Sequence, residues 1–380
     1  MSTIRCPLQE AAQISRHRPA VITPEGLLRF GHLEQCVGAT AGILQTIGIR
    51  PGDRIVLALR PSWRFPIVVM AALRRAAVIC PVDPDLPDSL LVRSIRLAES
   101  TLIISEGRWV SRFSRMVDIA AADVQRLTGV VYPGGEIHRP AMLSLEQPAT
   151  MYFVSRADGH RGIIHTIESH YYSAVGANLN IRLRSNDRWL LNMPVHVVSA
   201  IGVLFRCLLS GATLVIPEEN DPLCEALEKY AITHVSLTPR QLSELLAAQC
   251  DRRRLPSLRH IIVRGLPAPE ELQRAESRGF RVHPCYGRTE MASQVAVSSD
   301  CDGPLGRRTP GRVLPYRRLR VDENGNICVS GRTLYSACVV EGEQRAVPPR
   351  DGWYRTGDRG ALDASGYLTI EHLEDPEGCW

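Results

Sequence analysis

The sequence predicts an α/β protein built on mostly parallel sheets and followed by a small β subdomain. Three observations carry this. Helical and extended patterns alternate up to Cys301, as expected of βαβ units. Beyond a stretch of Gly and Pro from Asp302 to Gly311, only short strands and turns follow. The chain has 380 residues, 44% hydrophobic and 22% charged. That is ordinary globular composition, and enough chain for two or three packed subdomains.

The elements follow in order. Gly38 to Ile49 reads as a helix closed by Gly48 and Pro51, and Arg54 to Leu59 as a strand. Trp63 to Ala77 reads as a buried helix, and Val78 to Val82 as a strand stopped by Pro81, Pro84 and Pro87. Leu90 to Ala98 is amphipathic, and Thr101 to Ser105 is extended. Pro133 to Pro148 is rich in Pro and Gly and reads as a linker. Strands are then expected at Met151–Val154, Trp189–Met193, Ala212–Pro217, His234–Leu237, His260–Val263 and Arg281–Pro284. Helices are expected between them at Thr166–Ala177, Ser199–Ser210, Asp221–Tyr230, Pro239–Cys250 and Pro269–Arg278. Asp221 and Thr238-Pro239 read as helix starts. In the last segment, Leu319–Val321 and Ile327–Ser330 flank Asn324-Gly325, a hairpin turn signal, and Trp353–Arg355 and Tyr367–Ile370 complete the strands.

Composition excludes several function classes. The net charge is +5, and basic residues are scattered apart from Arg252-Arg253-Arg254, so no nucleic-acid face is expected. The longest apolar run, Phe65 to Val82, is broken by Arg74 and Arg75, so no membrane helix is expected. The N-terminus lacks a charged start followed by an apolar core, so the expected location is cytoplasmic. None of the 11 cysteines has C-x-x-C spacing, and their number is odd. They read as small buried hydrophobes in a reducing compartment, forming neither a zinc site nor a disulfide framework. Of the 45 basic residues, all but Lys229 are arginine. An arginine does not replace a lysine that must act as a compact point charge, so a mechanism needing two lysines is excluded from this sequence.

The chemistry concentrates in two strings. Tyr286-Gly287-Arg288-Thr289-Glu290 follows a predicted strand, at the carboxyl edge of a parallel sheet, where ligands bind in open α/β folds. An aromatic ring there can stack on a base, and a carboxylate can hold Mg²⁺ beside phosphates. Taken alone, the string reads more readily as a plain β-α turn. The second string is Asp351-Gly352-Trp353-Tyr354-Arg355-Thr356-Gly357-Asp358-Arg359-Gly360, with Gly366-Tyr367-Leu368 behind it.

Together these strings resemble the adenylate-forming superfamily of acyl-CoA synthetases and adenylation domains. Arg50-Pro51-Gly52-Asp53-Arg54, Cys80-Pro81-Val82-Asp83-Pro84, Gly211-Ala212-Thr213-Leu214-Val215 and Val235-Ser236-Leu237-Thr238-Pro239 extend the likeness over most of the chain. The resemblance implies two αβαβα-type subdomains with mostly parallel sheets, and a small distorted β-barrel subdomain. It implies subdomain limits at 1–150, 151–300 and 301–373, with 374–380 as a tail where the family's lid begins. It implies ATP or AMP, Mg²⁺ and CoA as cofactors, and a small-molecule carboxylic acid as substrate. Tyr286 and Gly287 would then hold adenine and Asp358 both ribose hydroxyls. Glu290 would hold Mg²⁺, and Thr289 a phosphate or the acyl-adenylate carbonyl.

Within that superfamily the chain most resembles the o-succinylbenzoate–CoA ligases of menaquinone biosynthesis. The carrying segments are Arg188 to Leu191, Val198-Ser199 with Gly202, Phe205 to Leu208, and Tyr286 to Ser293. By this likeness His196, Ser199, Arg206 and Gly265 contact substrate, Arg206 through a free carboxylate. Arg206 otherwise lies in an apolar helix, where burying an unpaired guanidinium is costly, so a structural carboxylate is the other partner it could have.

The sequence departs from the family pattern in four places. The phosphate loop is Ser155-Arg156-Ala157-Asp158-Gly159-His160-Arg161-Gly162, one residue short. Arg156 stands at the first glycine, and only Arg161 lies near the lysine. Ser155, Gly159 and Arg161 are its remaining phosphate contacts, and an aspartate facing a triphosphate costs ~1 kcal/mol even when fully screened. His160 and His165 read as ordinary turn and helix residues. The aromatic pair at the acyl loop is replaced by His196-Val197, and the "GGA" segment by Arg264-Gly265-Leu266-Pro267-Ala268. The hinge position reads Glu371-His372-Leu373-Glu374-Asp375, five residues before the end of the sequence. No lid lysine follows within these residues, and a separate lid acting in trans is the partner that could restore it. Two outcomes are left open: an ATP-dependent acyl-CoA synthetase, or a non-catalytic relative or lid-less remnant that binds a nucleotide, an acyl-adenylate or a partner.

Overall fold

The computed structural model describes residues 2–129, 140–156, 159–303, 306–341, 348–349 and 351–374. The expected α/β architecture is present, with two large, mainly parallel sheets and a curled four-stranded antiparallel sheet.

The first large sheet has seven strands, ordered 337–340, 159–166, 148–156, 78–81, 54–58, 102–105 and 121–123. Its five strands from 148–156 to 121–123 run parallel, and the first two are antiparallel additions. The second has nine, ordered 312–313, 293–297, 282–288, 260–264, 234–237, 188–190, 213–215, 19–23 and 26–29. The strands of both sheets read as apolar runs, because helices cover both faces. The helix Arg64–Arg74 is the extreme case: Phe65 to Leu73 are all buried. Some segments serve a distant sheet. Pro19–Thr23 and Gly26–Arg29 complete the second sheet, and Ala337–Val340 completes the first.

Several expected elements differ. The helix expected from Gly38 begins at Phe30, because Phe30, Leu33, Val37 and Leu44 recur at helical spacing and are all buried, while Gly31 and Gly38 conceal the pattern. Asp221 does not cap its helix, which runs Leu223–Lys229 behind Pro222; Asp221 instead lies 3.5 Å from Lys229. His160 and His165 are strand residues. Gly159–Thr166 pairs with Pro148–Arg156 as an antiparallel hairpin, so the segment expected to run from loop into helix is extended throughout. Cys224 and Cys250 are joined as a disulfide, whereas Cys6, Cys36, Cys80, Cys207, Cys285, Cys301 and Cys328 are free. The linker expected at 133–148 lies outside the described residues up to 139. No described helix is long and apolar enough to cross a membrane.

Local signals hold where the chemistry is specific. Thr238 accepts a hydrogen bond from the Gln241 N–H at 3.1 Å, and the Gln241 side chain accepts one from the Thr238 N–H at 3.0 Å, closing a capping box. Thr238→Ala should therefore cost about 1 kcal/mol of stability by urea denaturation. Asn324-Gly325 turns the hairpin between Arg317–Val321 and Asn326–Gly331, with Gly325 at φ +78°. Trp189, His234, His260 and His283 stack across neighbouring strands of the second sheet, with ring centroids 4.9–5.3 Å apart.

Candidate nucleotide site

Three sheets each deliver part of one polar cluster. The strand Val282–Arg288 is buried at every residue and carries Tyr286 and Arg288, and the turn Thr289–Met291 that follows it carries Glu290. The strand Tyr354–Leu362 of the small sheet carries Tyr354, Thr356 and Asp358. The hairpin strand Pro148–Arg156 of the first sheet ends on Arg156. Gly287 is needed for this convergence. A Cβ there would sit 2.6 Å from the Ser293 carbonyl oxygen of the adjoining strand.

Asp358 is fully buried. The Tyr286 hydroxyl donates to its Oδ2 at 2.6 Å, while Arg288 Nη1 and the Glu374 N–H donate to Oδ1 at 3.2 and 3.0 Å. Arg288 Nη2 donates to the Thr356 carbonyl at 3.2 Å. Burial, then the Asp358 charge, push the Tyr286 hydroxyl well above its ordinary pKa, so it stays a donor.

Glu290 is equally enclosed, with its side chain 3% exposed. Its Oε1 accepts from Arg156 Nη2 and, at 2.9 Å, from the Tyr354 hydroxyl. Its Oε2 faces Arg288 Nε at 3.5 Å. Burial is the largest influence on Arg156 and works against its charge, but Glu290, Tyr354 and Glu374 together raise the guanidinium pKa. Behind Glu290, His165 Nε2 donates to the Thr289 carbonyl at 2.8 Å, and burial pulls this imidazole down to about 4.

A cavity of about 440 Å³ opens beside the cluster, lined by Gly265, Leu266, Tyr286 and Ile370 to Leu373 among others. Gly265 has φ +85° and open space where a Cβ would lie, so its backbone forms a flat wall facing Tyr286. The segment read as the family's hinge thus contributes Glu371, His372 and Leu373 to this wall.

The structure brings together Tyr286, Gly287, Thr289, Glu290, Asp358 and Gly265. His196 lines a different cavity of about 600 Å³, whose walls carry Asp83, Asp85, Glu218, Glu219, Asp221 and Glu244. Arg60 also lines it and pairs with Asp85 and Glu219, but the acids outnumber the cations there, which disfavours a carboxylate. Ser199 Oγ has no hydrogen-bond partner among the described residues. Arg206 lies in the core, donating to Asn178 Oδ1 at 2.9 Å and the Ile181 carbonyl at 3.3 Å and stacking 4.2 Å from the Trp189 ring. Among the described residues no structural carboxylate pairs with it, and burial lowers its pKa to about 9. Of the phosphate-loop residues, the Ser155 hydroxyl meets His160 Nδ1 at 2.9 Å, and Arg161 pairs in register with Val154 and Val340. Gly159 has φ +135° and nothing near its Cβ position. Ala157 and Asp158 lie outside the described residues.

Sequence reasoning missed Arg288, Tyr354 and Glu374 as parts of the cluster. Arg288 and Tyr354 lie inside the quoted strings, so the signal was present: a charged and a phenolic group on strands that the pattern already marks as buried. Glu374 had no such signal.

Tyr286 in the wall of that cavity links it to Asp358, a buried acceptor for hydroxyl donors. Mg²⁺ does not fit Glu290 as the chain is folded. Mg²⁺ takes octahedral oxygen ligands and retains several waters. Both Glu290 oxygens here face guanidinium or phenol donors in a closed site.

The sequence matches the model of the AMP-binding enzyme family over residues 8–337. The chain belongs to this family. The 2-succinylbenzoate–CoA ligase of Bacillus licheniformis is 27% identical over 377 residues, covering 96% of this chain and 78% of that enzyme. The enzyme of the same name from Salmonella typhimurium is 28% identical over 370 residues, covering 96% and 75%. Among solved structures, o-succinylbenzoate CoA synthetase from Bacillus subtilis in complex with its acyl-adenylate intermediate superposes with a TM-score of 0.88 at 22% identity, covering 98% of this chain and all of that one. The same enzyme with ATP and magnesium gives 0.86 at 23% identity, covering 97% and 79%. The fold of this AMP-binding family member is therefore that of its structurally characterised relatives.

Proposed function

We propose that this chain is the nucleotide-binding body of an acid–thiol ligase of the o-succinylbenzoate–CoA type. It would hold AMP or an acyl-adenylate with adenine between Gly265 and Tyr286 and the ribose hydroxyls on Asp358. The observation that carries this reading is the fully buried Asp358, held at 2.6 Å by Tyr286 at the edge of an open cavity. Thr289 is the contact for a phosphate or the acyl carbonyl. Family membership and the Bacillus and Salmonella relatives support a carboxylic acid such as o-succinylbenzoate as the acyl group. CoA is proposed from the same relatives. The division at 150, 300 and 373 is a proposed partition along the chain rather than in space, since the sheets exchange strands across it.

Chemistry by these residues would be positioning and charge stabilisation. Within this sequence no second lysine exists to neutralise phosphate, so the proposal has that charge supplied from outside these residues. A second reading is favoured by the enclosure of Glu290: the chain binds the adenylate without forming it.

The test has two arms. A non-hydrolysable o-succinylbenzoyl-adenylate mimic should bind at least about tenfold more tightly than AMP, since each 1.4 kcal/mol from the acyl group is tenfold. Pyrophosphate release from ATP and o-succinylbenzoate should be ~10²–10³ slower than for a complete ligase. Tight mimic binding without any release selects the second reading. Equal binding of the mimic and AMP removes the acyl-group assignment.

A further inference from the structure

The cation that Glu290 needs is already built into the protein. We propose that the Arg156 guanidinium takes the place of a divalent metal at this carboxylate, so that the site takes an adenine nucleotide without Mg²⁺. This rests on the nucleotide reading given above.

Arg156 is anchored for such a role. Its side chain is 14% exposed, and Nη2 donates to Glu290 Oε1. The Tyr354 hydroxyl shares that oxygen, and Arg288 Nε covers the other. Glu290 shares Arg156 with Glu374 and Arg288 with Asp358, yet both of its oxygens already face a cation, and a divalent ion entering there would be repelled by both guanidinium groups. A guanidinium also matches a phosphate with two parallel N–H donors, which a metal-bound water shell does not.

The other edge of Arg156 already holds an anion. Nη1 donates to Glu374 Oε2 at 3.1 Å, and that carboxylate is half exposed. The backbone N–H of Glu374 meanwhile donates to Asp358 Oδ1 at 3.0 Å. One residue therefore offers a donor to the ribose-type aspartate and an anionic acceptor to Arg156. Those are the two contacts that a ribose hydroxyl and its attached phosphate would make. A nucleotide would replace Glu374 at both points, and Arg156 would pass from carboxylate to phosphate without leaving Glu290.

The experiment is a calorimetric titration of ATP into the wild-type chain, in EDTA and in excess Mg²⁺, repeated with Arg156→Gly. The expected wild-type affinity in EDTA equals or exceeds that in Mg²⁺. Arg156→Gly should lose at least about tenfold in EDTA and recover it with Mg²⁺. A wild-type affinity that rises tenfold or more on adding Mg²⁺ overturns the proposal whatever the variant does, so a misfolded variant does not protect it. Binding of Mg·ATP by Arg156→Gly alone also overturns it, making the arginine a plug while the nucleotide reading survives. No binding by either protein in either condition removes both.

Discussion

Replacing Arg288 by alanine should lower the free energy of unfolding by about 3–5 kcal/mol, the usual cost of removing one partner from a buried charge cluster. Arg288 is 2% exposed and lies between two nearly inaccessible carboxylates, Glu290 and Asp358. Without it, Asp358 keeps the Tyr286 hydroxyl and the Glu374 N–H but no cation among the described residues, and Glu290 keeps Arg156 and the Tyr354 hydroxyl. The Thr356 carbonyl also loses its Arg288 donor. Arg288→Lys should recover part of the loss, because a lysine restores charge but not the planar fork that reaches two strands at once. Urea denaturation of the two variants measures both effects. A midpoint for Arg288→Ala equal to that of the wild type would contradict the cluster as described.

Acidification from pH 7 to 5 should destabilise the protein by several kcal/mol through buried histidines alone. Burial pulls His165 to about 4 and His234 to about 2, and holds His170 well below the usual imidazole value. Each is neutral in the folded chain, while in the unfolded chain each takes a proton near the ordinary imidazole value of 6.5. Below that value the unfolded state binds more protons, so stability is full above it and is lost as pH falls. The loss through His165 runs from 6.5 down to about 4, and that through His234 continues toward 2. At pH 5 each contributes about 2 kcal/mol, taking 1.36 kcal/mol per pH unit. Urea midpoints at the two pH values test this; a flat profile would mean that these imidazoles reach water or a proton acceptor in the fold.

The sheets were largely legible because buried parallel strands are short apolar runs separated by helices, and residues 54–105 show that pattern without interruption. The Tyr286–Glu290 and Asp351–Gly360 strings were legible for a different reason: a site residue on a buried strand tolerates few alternatives. What the sequence concealed was pairing over distance. Arg156 meets Glu290 across 134 residues and Glu374 across 218, and no periodicity relates them. Read along the chain, Arg156 was a damaged glycine; in the fold it is the counter-charge of the carboxylate expected to hold a metal. Arg206 is a different case: an arginine in an apolar helix implies an anion by charge alone, and in the fold an amide oxygen, a carbonyl and an indole face also surround it. His165 looked helical because Thr166 caps the helix that starts directly after it, at Ile167.

The most direct test of the central claim, that an adenine nucleotide sits on Asp358, is calorimetric titration of AMP into the wild-type chain and Asp358→Asn. AMP needs no metal and no phosphate loop, and asparagine keeps the size of the side chain while removing the charge that accepts two hydroxyl donors. Saturable binding by the wild type, weakened at least about tenfold in the variant, is the predicted result. No binding at millimolar AMP, or equal binding by both proteins, would contradict it.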